Sequence, residues 1–332
     1  MKKLLKVLKI TIISILALVI LVVVGFVAYM RLSVTEYYKA SDKGFKIPGL
    51  SDSFIPQGLS YDSAAGDFYI TGYMKDHSAS PIYIVDKDTG KVRKNIKMLN
   101  PDGSEFTGDN GGIAVVNGRV FVAGSADNCL YTYDPSAIRA VDNDTPLAYD
   151  GVIDLGQGDD GFSVAFVTGY NGQIIAGEFY RDVVYPTSES HWMTTPSGAT
   201  NKAIAVAFTL DGNTPVPTAV FSLPHQVQGM YVDDNNIYLS TSYGVKFSHI
   251  LRYEQSDVVS NGTFKIWGED VPLYILDDSN LASDVKIAPM SEEIEIINGR
   301  MYVMCESASD KYFFGKLTGA KHCYATDTSL FN

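Results

Sequence analysis

Carboxylates, amides and hydroxyls recur at matching places along this chain. Where one class of apolar stretch begins stand Gln57, Asn110, Ser163, Gln228 and the adjacent pair Glu292 and Glu293. Where the following stretch ends stand Tyr73, Ser125, Glu178, Ser242 and Glu306, with Arg181 and His225 close by in sequence. Two carboxyl groups facing each other about 5–10 Å apart are what glycoside hydrolysis uses, one as acid and the other as base or nucleophile. Glu178 and Glu306, at equivalent ends of two repeats, are the candidates for such a pair. Without catalysis, the same amides, hydroxyls and carboxylates would hold a sugar-like or peptide-like ligand, with Tyr73, Tyr180 and Tyr243 to stack on it. Asp109, Asp160, Glu292, Glu293 and Glu306 together offer the oxygens that a hard cation such as Ca²⁺ requires. Asp86-Lys87-Asp88-Thr89-Gly90 resembles the start of a Ca²⁺ loop but lacks its later acidic positions, so it reads as a turn.

Other chemistries find little support. The five His (77, 191, 225, 249 and 322) lack zinc-ligand spacing, and most of them read as solvated surface residues. There is no G-x-S-x-G for a serine hydrolase. Cys129 and Cys305 lie in or beside apolar strands, where Cys behaves as a small buried hydrophobe. Cys305 and Cys323 fall in the same final repeat, and their pairing in an oxidising exterior is left open.

The elements that must position these residues are repeated strands. Five segments share one grammar, a short apolar strand, a turn, then a strongly β strand ending in small residues: 57–73, 111–125, 162–178, 228–242 and 292–306. Val, Ile, Tyr and Phe dominate the strands, and Asn-Gly, Asp-Gly or Asp-Asn turns join them, which is hairpin chemistry. Taking Gly58, Gly112, Ser163, Gly229 and Glu293 as equivalent gives spacings of 54, 51, 66 and 64 residues. The closest internal match sets Asn117–Val122 against Asn298–Val303. A third strand follows each hairpin, and a fourth leads into the next repeat, at 94–99, 151–156, 218–224 and 272–277. The fifth copy of that last strand is missing from the C-terminus and is found instead before the first repeat, at 44–50. A ring accounts for this, with the N-terminal strand completing the sheet of the final repeat and leaving no open edge.

The expected fold is therefore all-β, a five-bladed propeller preceded by one membrane helix, with no other helix of any length. The long insertion at 180–202, holding Trp192, and the stretch 311–316 rise from the face that carries the polar strand ends, as loops that contact ligands often do.

Residues 10–30 form an uncharged apolar run of twenty-one, which as a helix spans roughly 30 Å, the thickness of a bilayer core. Lys2, Lys3, Lys6 and Lys9 precede it, and positive charge stays on the cytoplasmic side. The run is long for a cleaved signal peptide and no A-x-A site ends it, so it reads as an uncleaved anchor. The expected division is 1–31 cytoplasmic tip and anchor, 32–43 stalk, and 44–332 propeller on the extracytoplasmic side of the plasma membrane. Setting aside residues 1–31 and their five basic groups leaves 21 basic and 38 acidic residues, a net charge of −17. Such a surface excludes nucleic acid as a partner and keeps the domain soluble.

The turn at Asp86–Lys91 and the I-P-Q-G-L-S-Y-D opening at 55–62 resemble bacterial β-propellers of the YVTN, NHL and SMP-30-like kind. The resemblance covers 44–332 and concerns architecture. The chain carries no WD dipeptide or kelch double glycine, and no convincing arrangement of the SMP-30-like metal ligands. Fold-level likeness transfers no activity. The expectation is a cell-surface propeller binding a small-molecule, carbohydrate or protein ligand at the mouth of its channel, without catalysis and without a cofactor. A carbohydrate hydrolase or lyase and a structural platform for envelope proteins are the alternatives.

Overall fold

A computed structural model describes residues 2–156, 161–312, 315–317 and 320–332. Five sheets form a ring. Blade 1 is built from Phe54–Asp62, Asp67–Met74, Pro81–Asp86 and Val92–Leu99, and blade 2 from Asn110–Val116, Arg119–Gly124, Cys129–Tyr133 and Gly151–Asp154. Blade 3 contains Phe166–Tyr170, Gln173–Gly177, Ala203–Asp211 and Thr214–Leu223, and blade 4 Val227–Val232, Asn236–Thr241, Ser248–Glu254 and Leu281–Ile287. Blade 5 takes Ser291–Ile297, Arg300–Cys305 and His322–Asp327 from the C-terminus and Ser41–Lys46 from the N-terminus, with Ser41 opposite Thr326. The chain is a five-bladed β-propeller closed by its N-terminal strand.

Asn-Gly turns set the inner hairpins. Asn117-Gly118, Asn171-Gly172 and Asn298-Gly299 each have positive φ at both residues, as tight two-residue hairpins require. Between neighbouring blades lie five buried apolar clusters, one for each junction. The cluster joining blade 5 to blade 1 contains Phe45, Phe54, Phe68, Tyr83, Met304 and Cys323, so the ring is held shut by side-chain burial as well as by strand pairing.

Two expectations are corrected here, and the open question of the cysteines is answered. The strand Glu269–Ile275, which includes most of 272–277, does not complete blade 4. It pairs parallel with Thr214–Leu223 and, with Ser260–Ile266, extends blade 3. Its Val271, Leu273 and Ile275 bury into the blade 2–3 core, whereas the true outer strand of blade 4, Leu281–Ile287, carries Ala, Ser, Asp and Lys and so reads as less strand-like. Among the described residues two short α-helices occur beyond the N-terminal one, at Thr35–Lys39 and Pro135–Ala140, the second capped by the Asp134 carboxylate accepting from the Ser136 amide. All three cysteines are buried free thiols, including the neighbours Cys305 and Cys323.

The N-terminal helix, Lys2–Leu32, is long and apolar enough to cross a membrane. Val34 and Tyr37, which follow it, are buried among residues of blades 4 and 5.

Candidate functional site

The innermost strands of blades 1, 2, 4 and 5 each start with a register shift, between Pro56 and Gly58, Asn110 and Gly112, Val227 and Gly229, and Ser291 and Ile294. Such bulges re-aim side chains at a barrel or propeller rim. In blade 5 the shift sends neighbouring carboxyls, Glu292 and Glu293, to two different places.

Glu293 points into the hub. Its Oε2 accepts from the amides of Leu59 (2.7 Å) and Ile113 (3.3 Å), and its Oε1 from the amide of Val167 (3.2 Å). One carboxyl thus binds the inner strands of blades 1, 2 and 3. The glycines around it are required by close approach: a Cβ on Gly112 would stand 2.4 Å from Glu293 Oε1, and one on Gly229 2.6 Å from Glu293 Cα. Next along the strand, Glu295 accepts from the Tyr61 amide at 3.1 Å. Burial raises the pKa of both, Glu295 to about 8, against the lowering effect of the amides they accept from. Backbone from several blades and the Glu293 side chain therefore fill the axis below the mouth.

Above this floor lies a cavity of about 650 Å³. Its polar lining includes Gln57, Asp109, Gln228, Glu306 and Lys311, and Tyr73, Phe179, Tyr185, Tyr243 and Tyr312 supply aromatic walls. Glu306 is nearly buried; Tyr312 Oη donates to its Oε1 at 2.7 Å and Gln57 Nε2 to its Oε2 at 3.2 Å. Gln228 Nε2 donates to Glu292 Oε1 at 3.4 Å. Lys311 donates to the Tyr73 hydroxyl and lies about 5.1 Å from the ring centres of both Tyr73 and Tyr312.

Loss of solvent pushes the Glu306 carboxyl up to about 7, with Asp109 adding to the rise and Tyr312, Lys311 and Gln57 opposing it. Glu292 is raised further by burial, then by the neighbouring Glu306 and Asp109. Asp109 is raised by desolvation and drawn down by Lys311. With Glu306 at about 7, the charge of the site changes near neutral pH.

The structure brings Gln57, Tyr73, Ser125, Ser163, Gln228, Ser242 and Glu306 to the cavity wall, with Glu292 hydrogen-bonded just behind. Other expected residues lie elsewhere. Asn110 is fully buried between blades 1 and 2, its Nδ2 donating to Gly72 O at 3.3 Å. Arg181 sits 3.5 Å over the Tyr243 ring, at the rim. His225 is exposed against Tyr180, within hydrogen-bond distance of the Thr200 carbonyl at 3.2 Å. Glu293 belongs to the hub, and Asp160 falls outside the described residues.

Glu178 is the main correction. It does not face Glu306 across the mouth; it is fully buried, 3.0 Å from His191 Nδ1, and accepts from the Ser163 amide at 3.2 Å and the Ile204 amide at 3.0 Å. His191 is accordingly a core residue and not a solvated one. The strand pairing explains this. Val122 pairs with Ile113, Ala176 with Val167 and Val303 with Ile294, so three residues further on stand Ser125, Phe179 and Glu306. Glu178 is one residue short of that position, and a one-residue step reverses the face a strand side chain points to. By the same pairing Phe166, not Ser163, is the blade 3 counterpart of Gly112 and Glu293. Glu178→Gln is expected to cost about 1–3 kcal/mol of stability, measured by urea unfolding, because a buried partner is lost; it is expected to leave ligand binding at the mouth unchanged.

Of the other lining residues, Asp109 is one of the rim carboxylates, Tyr185, Lys311 and Tyr312 come from the two loops expected over this face, and Phe179 is the addition the structure makes. Counting outward from the Asn-Gly turns finds Phe179, since Ser125, Phe179 and Glu306 each lie seven residues beyond the turn glycine. Among the described residues, no three His, Cys, Asp or Glu side chains form a group able to hold a metal ion.

No protein-family model and no curated protein matches the chain. Among solved structures it is similar to a luciferin-regenerating enzyme, at 12% identity over 84% of this chain and 93% of that one, TM-score 0.45. It is also similar to Myxococcus xanthus glutaminyl cyclase, at 11% identity over 86% and 94%, TM-score 0.39. With Kuenenia stuttgartiensis hydrazine synthase it shares 10% identity over 77% of its own length, TM-score 0.36, and it spans 58% of that chain.

Proposed function

We propose that this chain is a membrane-tethered β-propeller that binds a small sugar-like ligand in the cavity above Glu293, without catalysis. Its blade grammar resembles that of the bacterial YVTN, NHL and SMP-30-like propellers, and the lysine-rich N-terminus supports an extracytoplasmic propeller. The observation that carries the reading is the lining of the 650 Å³ cavity, where aromatic walls surround two glutamines, two carboxyls and a lysine. Aromatic faces stack on sugar rings, while amides and carboxyls fix hydroxyl or amino groups. Both Glu306 oxygens already accept hydrogen bonds from the protein, which suits a group that holds a pocket in shape. Ca²⁺ has no role in this proposal.

Isothermal titration with neutral sugars, amino sugars and short peptides tests it. A saturable heat with one of the sugars, lost in Gln57→Ala and Lys311→Ala, is the expected result. Heat with none of them, or heat unchanged in both variants, would sink the proposal.

One observation favours a second reading, a carbohydrate hydrolase or lyase. Glu292 and Glu306 are both buried and interact with each other; both are raised above the ordinary carboxylate range, Glu306 to about 7, as a general acid requires. New reducing or unsaturated ends formed from an oligosaccharide, and abolished by Glu306→Gln, would move the assignment to that class.

A further inference from the structure

We infer that the mouth face of the propeller docks on the surface of the bilayer that holds the N-terminal helix, so that the cavity opens into the headgroup layer. The inference rests on the reading of residues 10–30 as a membrane anchor.

Side chains from Leu4 to Val22 are exposed on every side of the helix, whereas Val23, Phe26 and Val27 are half-buried and Met30 is buried. The spacing i, i+3, i+4, i+7 is one helix face. Phe26 and Met30 border a small void with Val245, Pro289, Met290, Ser307 and Gly315, and the Tyr29 ring stands 5.8 Å from that of Phe247. Every one of these contacts is on the mouth face. The loop holding Val245 and Phe247 follows the second strand of blade 4, as Ser307 follows that of blade 5, and Pro289 and Met290 precede the innermost strand of blade 5. At the other end of the connection, Tyr37 is buried between blades 4 and 5, and Ser41 pairs with Thr326, near the far face. The helix therefore rises past the mouth face and leaves the propeller there.

Length then fixes depth. Residues 10–30 give about 31 Å of helix, which matches a hydrocarbon core of about 30 Å only when all of them are used. Only residues 10–22, about 20 Å by the same rise, stand clear of the propeller. The loops beside residues 23–30 must therefore press against the membrane surface for the span to approach completeness.

The loops on that face have tips suited to this. Val245 is 61% exposed, and across the cavity Val183 is 91%, Val184 49% and Tyr185 51% exposed. Val183 forms the tip of a tight hairpin in which the Val184 amide donates to Asp182 O at 2.8 Å, with φ at +67°, a costly conformation for a β-branched residue. Val184, Tyr185 and Pro186 also line the cavity, so a face seated on the membrane presents the site to the polar heads of membrane-held molecules. In an acidic domain, apolar tips and tyrosine make the contact, and it should be insensitive to salt.

The test uses the full chain reconstituted in phosphatidylcholine vesicles. An environment-sensitive fluorophore is placed at Val183→Cys or Val245→Cys, with Asn213→Cys on the opposite face as the reference; the native cysteines are buried. Flotation with the vesicles, and several-fold stronger quenching by brominated lipid at 183 and 245 than at 213, is the expected result. Flotation with equal, weak quenching at all three positions would overturn the docking and leave the anchor standing. Failure to float would overturn both.

Discussion

Glu293→Ala is expected to destabilise the propeller by roughly 3–6 kcal/mol, the largest effect of any single side-chain truncation in this account. Three backbone amides, from Leu59, Ile113 and Val167, would lose their acceptor at once, and all are buried in the hub. Leaving a buried donor unsatisfied costs about 1–3 kcal/mol, and the glycines packed round the carboxyl leave water little room to replace it. A domain commonly has about 5–15 kcal/mol to lose, so the variant should sit at the edge of folding at ambient temperature. Glu293→Gln keeps one acceptor oxygen but presents an NH₂ group to at least one amide, and should fall between the two. Urea unfolding of the three proteins measures this order. A Glu293→Ala variant within 1 kcal/mol of wild type would show that the hub is held by strand packing alone.

The second large effect is on pH. The Glu306 carboxyl titrates near 4.5 in an unfolded chain and at about 7 in the folded one. Between those values the unfolded chain gives up a proton that the folded protein keeps, so unfolding becomes progressively easier as pH rises. The stability is fully present below about pH 4.5 and is lost as pH rises through about 7, and the neighbouring buried Glu292, raised in the same direction, shares in it. Glu295, raised to about 8, extends the same trend to higher pH. Glu306→Gln removes its share, so its stability should change less between pH 5 and pH 8, and at pH 8 it should equal or exceed wild type. Parallel curves for the two proteins would contradict the assignment of a raised pKa to Glu306.

Turns and strand composition made the ring legible in the sequence. The Asn-Gly pairs allow few conformations other than a tight hairpin, and the displaced strand near residue 45 pointed to closure through blade 5. Blade 3 shows where such reading stops. Its inner segment, FSVAFVTGYNGQIIAGE, is apolar over more residues than the strand uses, so its register could be set at Ser163 or at Phe166. The difference moves Glu178 from the mouth to the core, where it meets His191, a residue that composition assigns to the surface. The parallel addition of Glu269–Ile275 to blade 3 depended on tertiary burial of Val271, Leu273 and Ile275 that local pattern does not show. The loop bearing Lys311 and Tyr312 was placed over the right face by its position in the repeat, but no periodicity announces which of its side chains reach the cavity.

The measurement that tests the central claim most directly is thermal unfolding of the full chain against a panel of neutral sugars, amino sugars, short peptides and Ca²⁺, run in parallel on Glu306→Gln and Glu178→Gln. A ligand that binds the folded state alone raises the midpoint. Binding in the cavity predicts a sugar that raises it in wild type and in Glu178→Gln but not in Glu306→Gln. A shift that survives Glu306→Gln and disappears in Glu178→Gln, or no shift with any sugar, would contradict a site at the mouth.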